Sequence, residues 1–266
     1  MKNTVKKILA SLGLLVPLTN LKFAYSSIKL RRQNSAFKRK HPDFILPPDY
    51  IMYESYGLNY NDYYEDGKTT SKWLSELIQP WMPAVSVKDV LDWGCGPGRI
   101  LRHLPANFPN AKIAGCDYNP ATIKWLNEQF PAFDIQLNQV NPPIAQKDNS
   151  IDFAFGISIF THLSKAGHAA WLAEMARILR PGGIFLFTTH GDVFQQRLTH
   201  NELAAYQNNQ LVVRAAGPEG HRVYGAFHPP QVIQELILPY FKVLSHQPGN
   251  KHDGQLDQDV WIVQKS

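Results

Sequence analysis

Three glycines stand within five positions of one another, Gly94, Gly96 and Gly98, in the stretch VLDWGCGPGRI at residues 90–100. Glycine costs conformational entropy, so such spacing marks a backbone that needs positive φ or that something must approach closely. Arg99 stands three positions beyond Gly96, so the G-x-G-x-x-G turn that holds a pyrophosphate is not met. The spacing is instead D-x-G-x-G-x-G from Asp92 to Gly98. Asp117 follows 23 residues after Gly94, in GCDYNP. A carboxylate at the end of a second strand can accept hydrogen bonds from both hydroxyls of a ribose. Its other reading, a helix cap, is better served by Asn119.

Histidine is the residue for moving a proton near neutral pH. The chain has ten, and any one of them is more often structural than catalytic. His162 in FTHLS, His190 in TTHG and His228 in YGAFHPP follow strand ends or close an insertion. They are therefore the candidates for a general base, for positioning an acceptor or for capping. Their spacing does not match a metal site, and neither C-x-x-C nor H-E-x-x-H occurs, so no metal is expected. Cys95, inside the glycine loop, and Cys116, before Asp117, read as small residues in crowded places rather than a disulfide.

Alternating strands and helices must position these residues. KDVLDW (88–93) reads as a buried strand running into the glycines, and GRILRHL as the start of a helix. AKIAGCD (111–117), FDIQLN, SIDFAFG (150–156) and IFLFTTH (184–190) are further strands. Between them, NPATIKWLNEQF (119–130) is a helix capped by Asn119 with Pro120 at its first position. SKAGHAAWLAEMARILRPGG (164–183) is a capped amphipathic helix with a core stripe of Trp171, Leu172, Met175, Ile178 and Leu179. TTSKWLSELIQPW (69–81) has helical spacing, and residues 229–265 supply a last helix and two closing strands. The order predicts a parallel, doubly wound α/β sheet with right-handed crossovers. Residues 191–228 interrupt it as an insertion over the carboxyl edge of the sheet.

Charge divides the chain. Ten of its 27 lysines and arginines fall in the first 40 positions with no acid before Asp43, leaving 17 bases against 22 acids in the remainder. The mildly acidic body disfavours a nucleic-acid face, while the basic leader can meet an anionic surface. Residues 1–50 read as an N-terminal extension and proline-rich linker, and 51–266 as the main domain. ILASLGLLVPL (8–18) is too short to span a membrane. Three roles stay open for the leader: an interfacial segment on anionic lipid, a helix packed on the body, or a cleaved signal.

VLDWGCGPGR, GCDYNP and ILRPGGIFLFTT together resemble the motifs of class I S-adenosylmethionine-dependent methyltransferases, over roughly residues 70–190. The resemblance implies a seven-stranded sheet with its last strand antiparallel and S-adenosylmethionine as cofactor. It implies that Gly94, Cys95, Gly96 and Gly98 pass under the methionine part, with Asp92 orienting the amine. Asp117 would take the ribose beside Tyr118, Asn138 would stand where an acid often meets the adenine amino group, and Gly156 and Ile157 would border the methionine moiety. A sulfonium cofactor carries no phosphate, in keeping with the lack of a lysine-bearing cradle. FGISIFTHLS, FTTHG and VYGAFHPP are similar to small-molecule methyltransferases associated with glycan synthesis, which implies a sugar hydroxyl as acceptor. The polar stretches RLTHNE, YQNNQ and GPEGHR favour a hydrophilic acceptor over a quinone, lipid or protein side chain. A non-catalytic cofactor-binding protein is the rival class. A cofactor made in the cytosol implies a cytoplasmic protein, peripheral on the inner membrane face if the leader meets lipid.

Overall fold

The computed structural model describes residues 15–221 and 223–266. It opens with three helices, α1 (Leu15–Lys40), α2 (Asp49–Ser55) and α3 (Tyr60–Ile78). The helical spacing of 69–81 thus belongs to a longer helix that takes in the tyrosine-rich stretch. The reason is local: the Asn59 side chain accepts hydrogen bonds from the Asn61 and Asp62 amides and starts the helix early. Phe37 of α1 shares an apolar cluster with Met52, Leu58, Tyr60 and Tyr63, and Phe23 and Leu30 pack against it. Asn34 fastens α1 from within, donating to the Leu58 carbonyl at 2.7 Å and accepting from the Tyr60 amide at 3.2 Å. The extension before residue 50 therefore shares its core with the residues that follow. Most of the apolar run 8–18 and the lysines at 2, 6 and 7 lie outside the described residues.

The alternating part follows. Strand β1 (Asp89–Trp93), short helix α4 (Leu104–Asn107), β2 (Lys112–Asp117), α5 (Pro120–Gln129), β3 (Asp134–Leu137) and β4 (Ile151–Gly156) come first. Then come α6 (Lys165–Ile178), β5 (Leu179–Thr189), α7 (His200–Gln207), β6 (Val212–Ala215) and β7 (Tyr224–Phe227). The chain closes with α8 (Pro230–Ile237), β8 (Phe241–Gln247), β9 (Lys251–His252), β10 (Gln255–Leu256) and β11 (Asp259–Lys265). Seven strands form one sheet in the order β3-β2-β1-β4-β5-β11-β8. The pairings from β3 through β5 are parallel, and β11 runs antiparallel to both β5 and β8. This is the expected doubly wound α/β sheet.

Period-two burial on both faces builds the core. Leu91, Trp93, Ala154, Phe185 and Phe187 face one apolar layer with Trp171 and Met175 of α6, so the stripe read on that helix is a core stripe. Val90, Phe153, Phe155, Ile184 and Leu186 face the other layer, under α3 and α5. Asp92 shares the parity of Val90, an acid at the end of a strand otherwise apolar on both sides. The helix expected after the glycine loop is instead a 3-10 turn at Leu101–His103 followed by α4, with Pro105 in its first turn. Residues 191–228 form a 3-10 turn, α7 and the β6–β7 hairpin around Phe194, Tyr206, Val212 and Phe227. The hairpin packs on the Phe160–His162 turn that follows β4.

Candidate cofactor and acceptor site

The glycine loop has the conformation its composition requires. Gly94, Gly96 and Gly98 sit at φ +75°, +48° and +77°, the left-handed region where side chains are disfavoured. A Cβ on Gly94 would stand 2.1 Å from Ile159 Cδ1, whereas one on Gly96 would meet nothing nearer than Ser55 Cβ at 3.5 Å. The loop is held from both sides. The Cys116 carbonyl accepts from the amides of Gly94 at 2.8 Å and Cys95 at 3.0 Å. The buried Tyr63 hydroxyl donates to the Pro97 carbonyl at 2.8 Å. Gly67 of α3 lets that helix press on the loop, since a Cβ there would lie 2.1 Å from the Arg99 carbonyl oxygen.

A cavity of about 250 Å³ opens over this loop. Asp92, Gly94, Cys95, Gly96, Asp117, Tyr118 and Ile157 line it, bringing together most of the cofactor residues read from the sequence. Asp92 is 3% exposed, and burial pushes its carboxyl up to about 8, with Arg99 opposing and Asp117 adding. A ligand cation placed beside it would restore the charged form. Both Asp117 oxygens are fixed by backbone donors, Oδ2 by Gly96 at 3.0 Å and Oδ1 by Asn119 at 2.9 Å. Each keeps a second lone pair for a ribose hydroxyl. Burial raises the Asp117 pKa, and these amides oppose it. Asn119 itself caps α5, accepting from Ala121 and Thr122. Burial likewise raises both thiols, leaving Cys95 and Cys116 as packing residues.

A smaller apolar recess continues the cavity past Gly94 and Asp117 to Asn138, Val140, Leu163 and Trp171. The Asn138 side chain donates to the Gln139 carbonyl at 2.6 Å, while its Oδ1 is buried without a hydrogen-bond partner. An orphaned acceptor in a flat apolar recess fits the exocyclic amine of an adenine. Two sequence expectations resolve differently. Gly156 and Gly98 do not line the cavity. The missing Cβ of Gly156 makes room for the Trp93 ring, 2.6 Å from where it would stand, and that of Gly98 for Leu126 of α5 at 2.8 Å.

Residues 90–183 match the family model of a methyltransferase domain. This match and the relatives it brings support a class I S-adenosylmethionine-dependent methyltransferase domain in this chain. Their cofactor, S-adenosylmethionine, is the ligand that this loop, acid pair and recess fit. Over 148 residues the chain is 28% identical to "Probable S-adenosylmethionine-dependent methyltransferase" of Mycolicibacterium smegmatis, covering 53% of this chain and 56% of that one. Over 102 residues it is 29% identical to trans-aconitate 2-methyltransferase of Methylobacterium nodulans, covering 38% of each. The chain thus spans about half or less of the length of these curated relatives. The PH0226 protein of Pyrococcus horikoshii shares the fold at TM-score 0.55 and 16% identity, over 86% of this chain and 99% of that one.

The structure separates the three candidate histidines. His162 lines both parts of the cavity. Its Nδ1 lies 2.9 Å from the Tyr224 carbonyl oxygen, which can only accept, so Nδ1 carries the proton of the neutral ring and Nε2 is the basic nitrogen. Burial lowers its pKa, the Tyr224 carbonyl opposing and His221 adding, so the ring is neutral at pH 7. His190 and His228 do not reach the cavity wall. His168 donates from Nδ1 to the Ser164 carbonyl at 2.6 Å, and its Nε2 meets His228 Nε2 at 2.9 Å. His228 Nδ1 then accepts from the His190 amide at 3.2 Å. With both nitrogens engaged and no exposure, His228 is a structural link, and burial drives its pKa well down. His190 stacks on Phe194 at 4.1 Å with Nδ1 3.0 Å from the Ala226 carbonyl, and burial lowers it to about 4.

Sequence reasoning missed the acceptor-side wall. Ile51, Glu54, Ser55 and Tyr56 of the α2 segment, Ser158 and Ile159 after β4, and Gly220 and His221 at the hairpin tip all line the cavity. Ser158 takes φ +65°, a conformation costly for a non-glycine residue. Thr188 Oγ1, accepting from its amide at 2.7 Å, and Gln258, donating to its hydroxyl at 2.8 Å, hold it there. The hairpin tip is stitched on by the Gly220 amide, which donates to the His162 carbonyl at 2.9 Å. None of these has a local motif. Among the described residues no group of three or more metal-ligating side chains is brought together.

Proposed function

We propose that this methyltransferase transfers the methyl group of S-adenosylmethionine to a sugar hydroxyl of a small or glycan-type acceptor, with His162 as general base. The observation that carries the reading is the Tyr224 carbonyl on His162 Nδ1, which presents a neutral, basic Nε2 at the cavity wall. When bound, the cofactor supplies an electrophilic methyl carbon on a sulfonium that departs as a neutral thioether. The chain does the rest. Asp92 and the glycine loop would hold the methionine end, Asp117 the ribose, and Asn138 the adenine amine. Glu54, Ser55, Ser158 and His221 give the acceptor side hydrogen-bonding groups suited to a polyol rather than to a quinone. His162 Nε2 would take the proton of the acceptor hydroxyl, and alignment in a dry cavity would supply much of the rate. The cytoplasm, where the cofactor is made, is the compartment this reading requires.

Relatives named for trans-aconitate, malonyl-acyl carrier protein and tRNA methylation keep the carboxylate, carrier-protein and nucleic-acid acceptors as rivals. The test incubates the protein with methyl-labelled S-adenosylmethionine and a fractionated extract, with Asp117→Ala and His162→Gln as controls. The expected result is label in a glycan or glycolipid fraction, lost in both variants. Label in small-acid, protein or tRNA fractions overturns the acceptor and keeps the enzyme. Tight cofactor binding with no label in any fraction favours the non-catalytic rival.

A further inference from the structure

Helix α1 has apolar side chains on two opposite faces. Phe23, Leu30 and Phe37 point into the body and pack there with Met52 and Tyr63. At 100° per residue, Leu21, Tyr25 and Ile28 fall on the face turned away from that core, and they are 67%, 66% and 77% exposed. The outer face of a helix packed on a domain is ordinarily polar. Here its first half carries an apolar stripe about 10 Å long, from the seven steps of 1.5 Å between Leu21 and Ile28. Arg32 and Arg39 continue the same face, and Lys22 and Lys29 flank it. The helix contains seven basic residues, Lys22, Lys29, Arg31, Arg32, Lys38, Arg39 and Lys40, and no acid.

We infer that the outer face of α1 seats the protein on an anionic lipid surface, with Leu21, Tyr25 and Ile28 entering the headgroup boundary and the basic residues meeting lipid phosphates. The chemistry of the face selects the occupant. A protein groove would suit the apolar stripe but would not by itself use a run of cations without a single acid; an anionic bilayer uses both, through area burial and surface potential. Tyrosine suits the boundary because its ring is apolar and its hydroxyl stays wet. Beside the stripe, a polar recess of about 170 Å³ is lined by Ser27, Arg31, Ser35 and Lys38 of α1 together with Asp49 and Tyr60. The Asp49 carboxylate there already accepts from the Tyr60 hydroxyl at 2.5 Å, and Arg31 and Lys38 leave the recess net positive. No helix among the described residues is long and apolar enough to cross a membrane, so the mode is attachment in the plane of the surface. Because α1 and α2 share one packed cluster and α2 lines the cofactor cavity, the seated helix and the cavity wall form a single unit.

The test is sedimentation of the full-length protein with phosphatidylcholine vesicles, with and without 30% phosphatidylglycerol, at low and high salt. Wild type is expected to partition at least tenfold more strongly onto the anionic vesicles and to lose most of that preference at high salt. Leu21→Ser/Tyr25→Ser/Ile28→Ser is expected to bind at least tenfold more weakly, and Arg32→Gln/Arg39→Gln to flatten the salt dependence. Both should keep wild-type cofactor affinity, which shows that the fold is intact. Equal partition onto both vesicle types overturns the inference. So does an apolar triple variant that sediments like wild type, or a stripe whose loss abolishes self-association in ultracentrifugation instead of lipid binding. The outcome does not depend on which acceptor is methylated.

Discussion

Replacing Asp92 by asparagine should stabilise the ligand-free protein and weaken cofactor binding at once. Burial pushes the Asp92 carboxyl up to about 8, far above its value in an unfolded chain, near 4. Between those values the folded state holds a proton that the unfolded chain has released. Stability therefore falls as pH rises through this window, by about 1.4 kcal/mol per unit, and levels off above pH 8. Asparagine cannot ionise and carries no such slope. From pH 6 to pH 8 the wild type should lose about 2 kcal/mol relative to Asp92→Asn, roughly 4–8 °C in Tm for a chain of this size. Binding moves the other way. The amine and sulfonium of S-adenosylmethionine favour the carboxylate, and a charge-assisted hydrogen bond contributes about 1.5–3 kcal/mol, so the variant should bind roughly 10- to 150-fold more weakly. Wild-type affinity should rise toward pH 8 with release of a proton. Scanning calorimetry and titration calorimetry on both proteins at pH 6, 7 and 8 test this, and the difference between them removes the ligand's own titration. Parallel Tm–pH curves, or affinities within threefold of each other, would refute the reasoning.

The glycines should divide by mechanism. Gly94→Ala adds a clash with Ile159 to the left-handed backbone cost and should lower stability by about 2–4 kcal/mol, whereas Gly96→Asn, with space and a tolerated φ, should cost about 1 kcal/mol or less; thermal melts decide. His162→Gln should reduce kcat roughly 10²- to 10⁴-fold with cofactor affinity changed less than threefold. In wild type kcat should fall only as pH drops below the ordinary histidine range, because burial lowers the pKa of His162. His228→Phe should instead leave His168 unpaired, cost about 1–3 kcal/mol of stability and spare kcat, and steady-state kinetics beside melts separates the two. Tyr63→Phe deletes the bond to the Pro97 carbonyl; a loss of about 1 kcal/mol and several-fold weaker cofactor binding by titration are expected.

Features decided by neighbours in the chain were readable before folding. Strand β1, its glycines and Asp117 were legible because a period-two apolar run, a positive-φ turn and a strand-end acid are local signals. The Asn119 cap and the α6 stripe were legible for the same reason, as was the sheet, since right-handed crossovers leave few topologies for such an alternation. The early start of α3 was decided by Asn59, whose cap outweighs the poor helical propensity of the tyrosines behind it. The roles of the histidines were not legible at all. His162, His190 and His228 all stand at plausible positions in the sequence, and only the Tyr224 carbonyl, 62 residues from His162, the His168 ring, 60 residues from His228, and the Ala226 carbonyl, 36 residues from His190, assign the proton on each ring. The wall made by α2, the strained Ser158 and the two-faced exposure of α1 likewise exist only after packing. Hydrogen bonds and burial between distant segments carry no periodicity in the chain, so the tertiary structure alone decides which polar groups face the cavity and which are sealed beneath it.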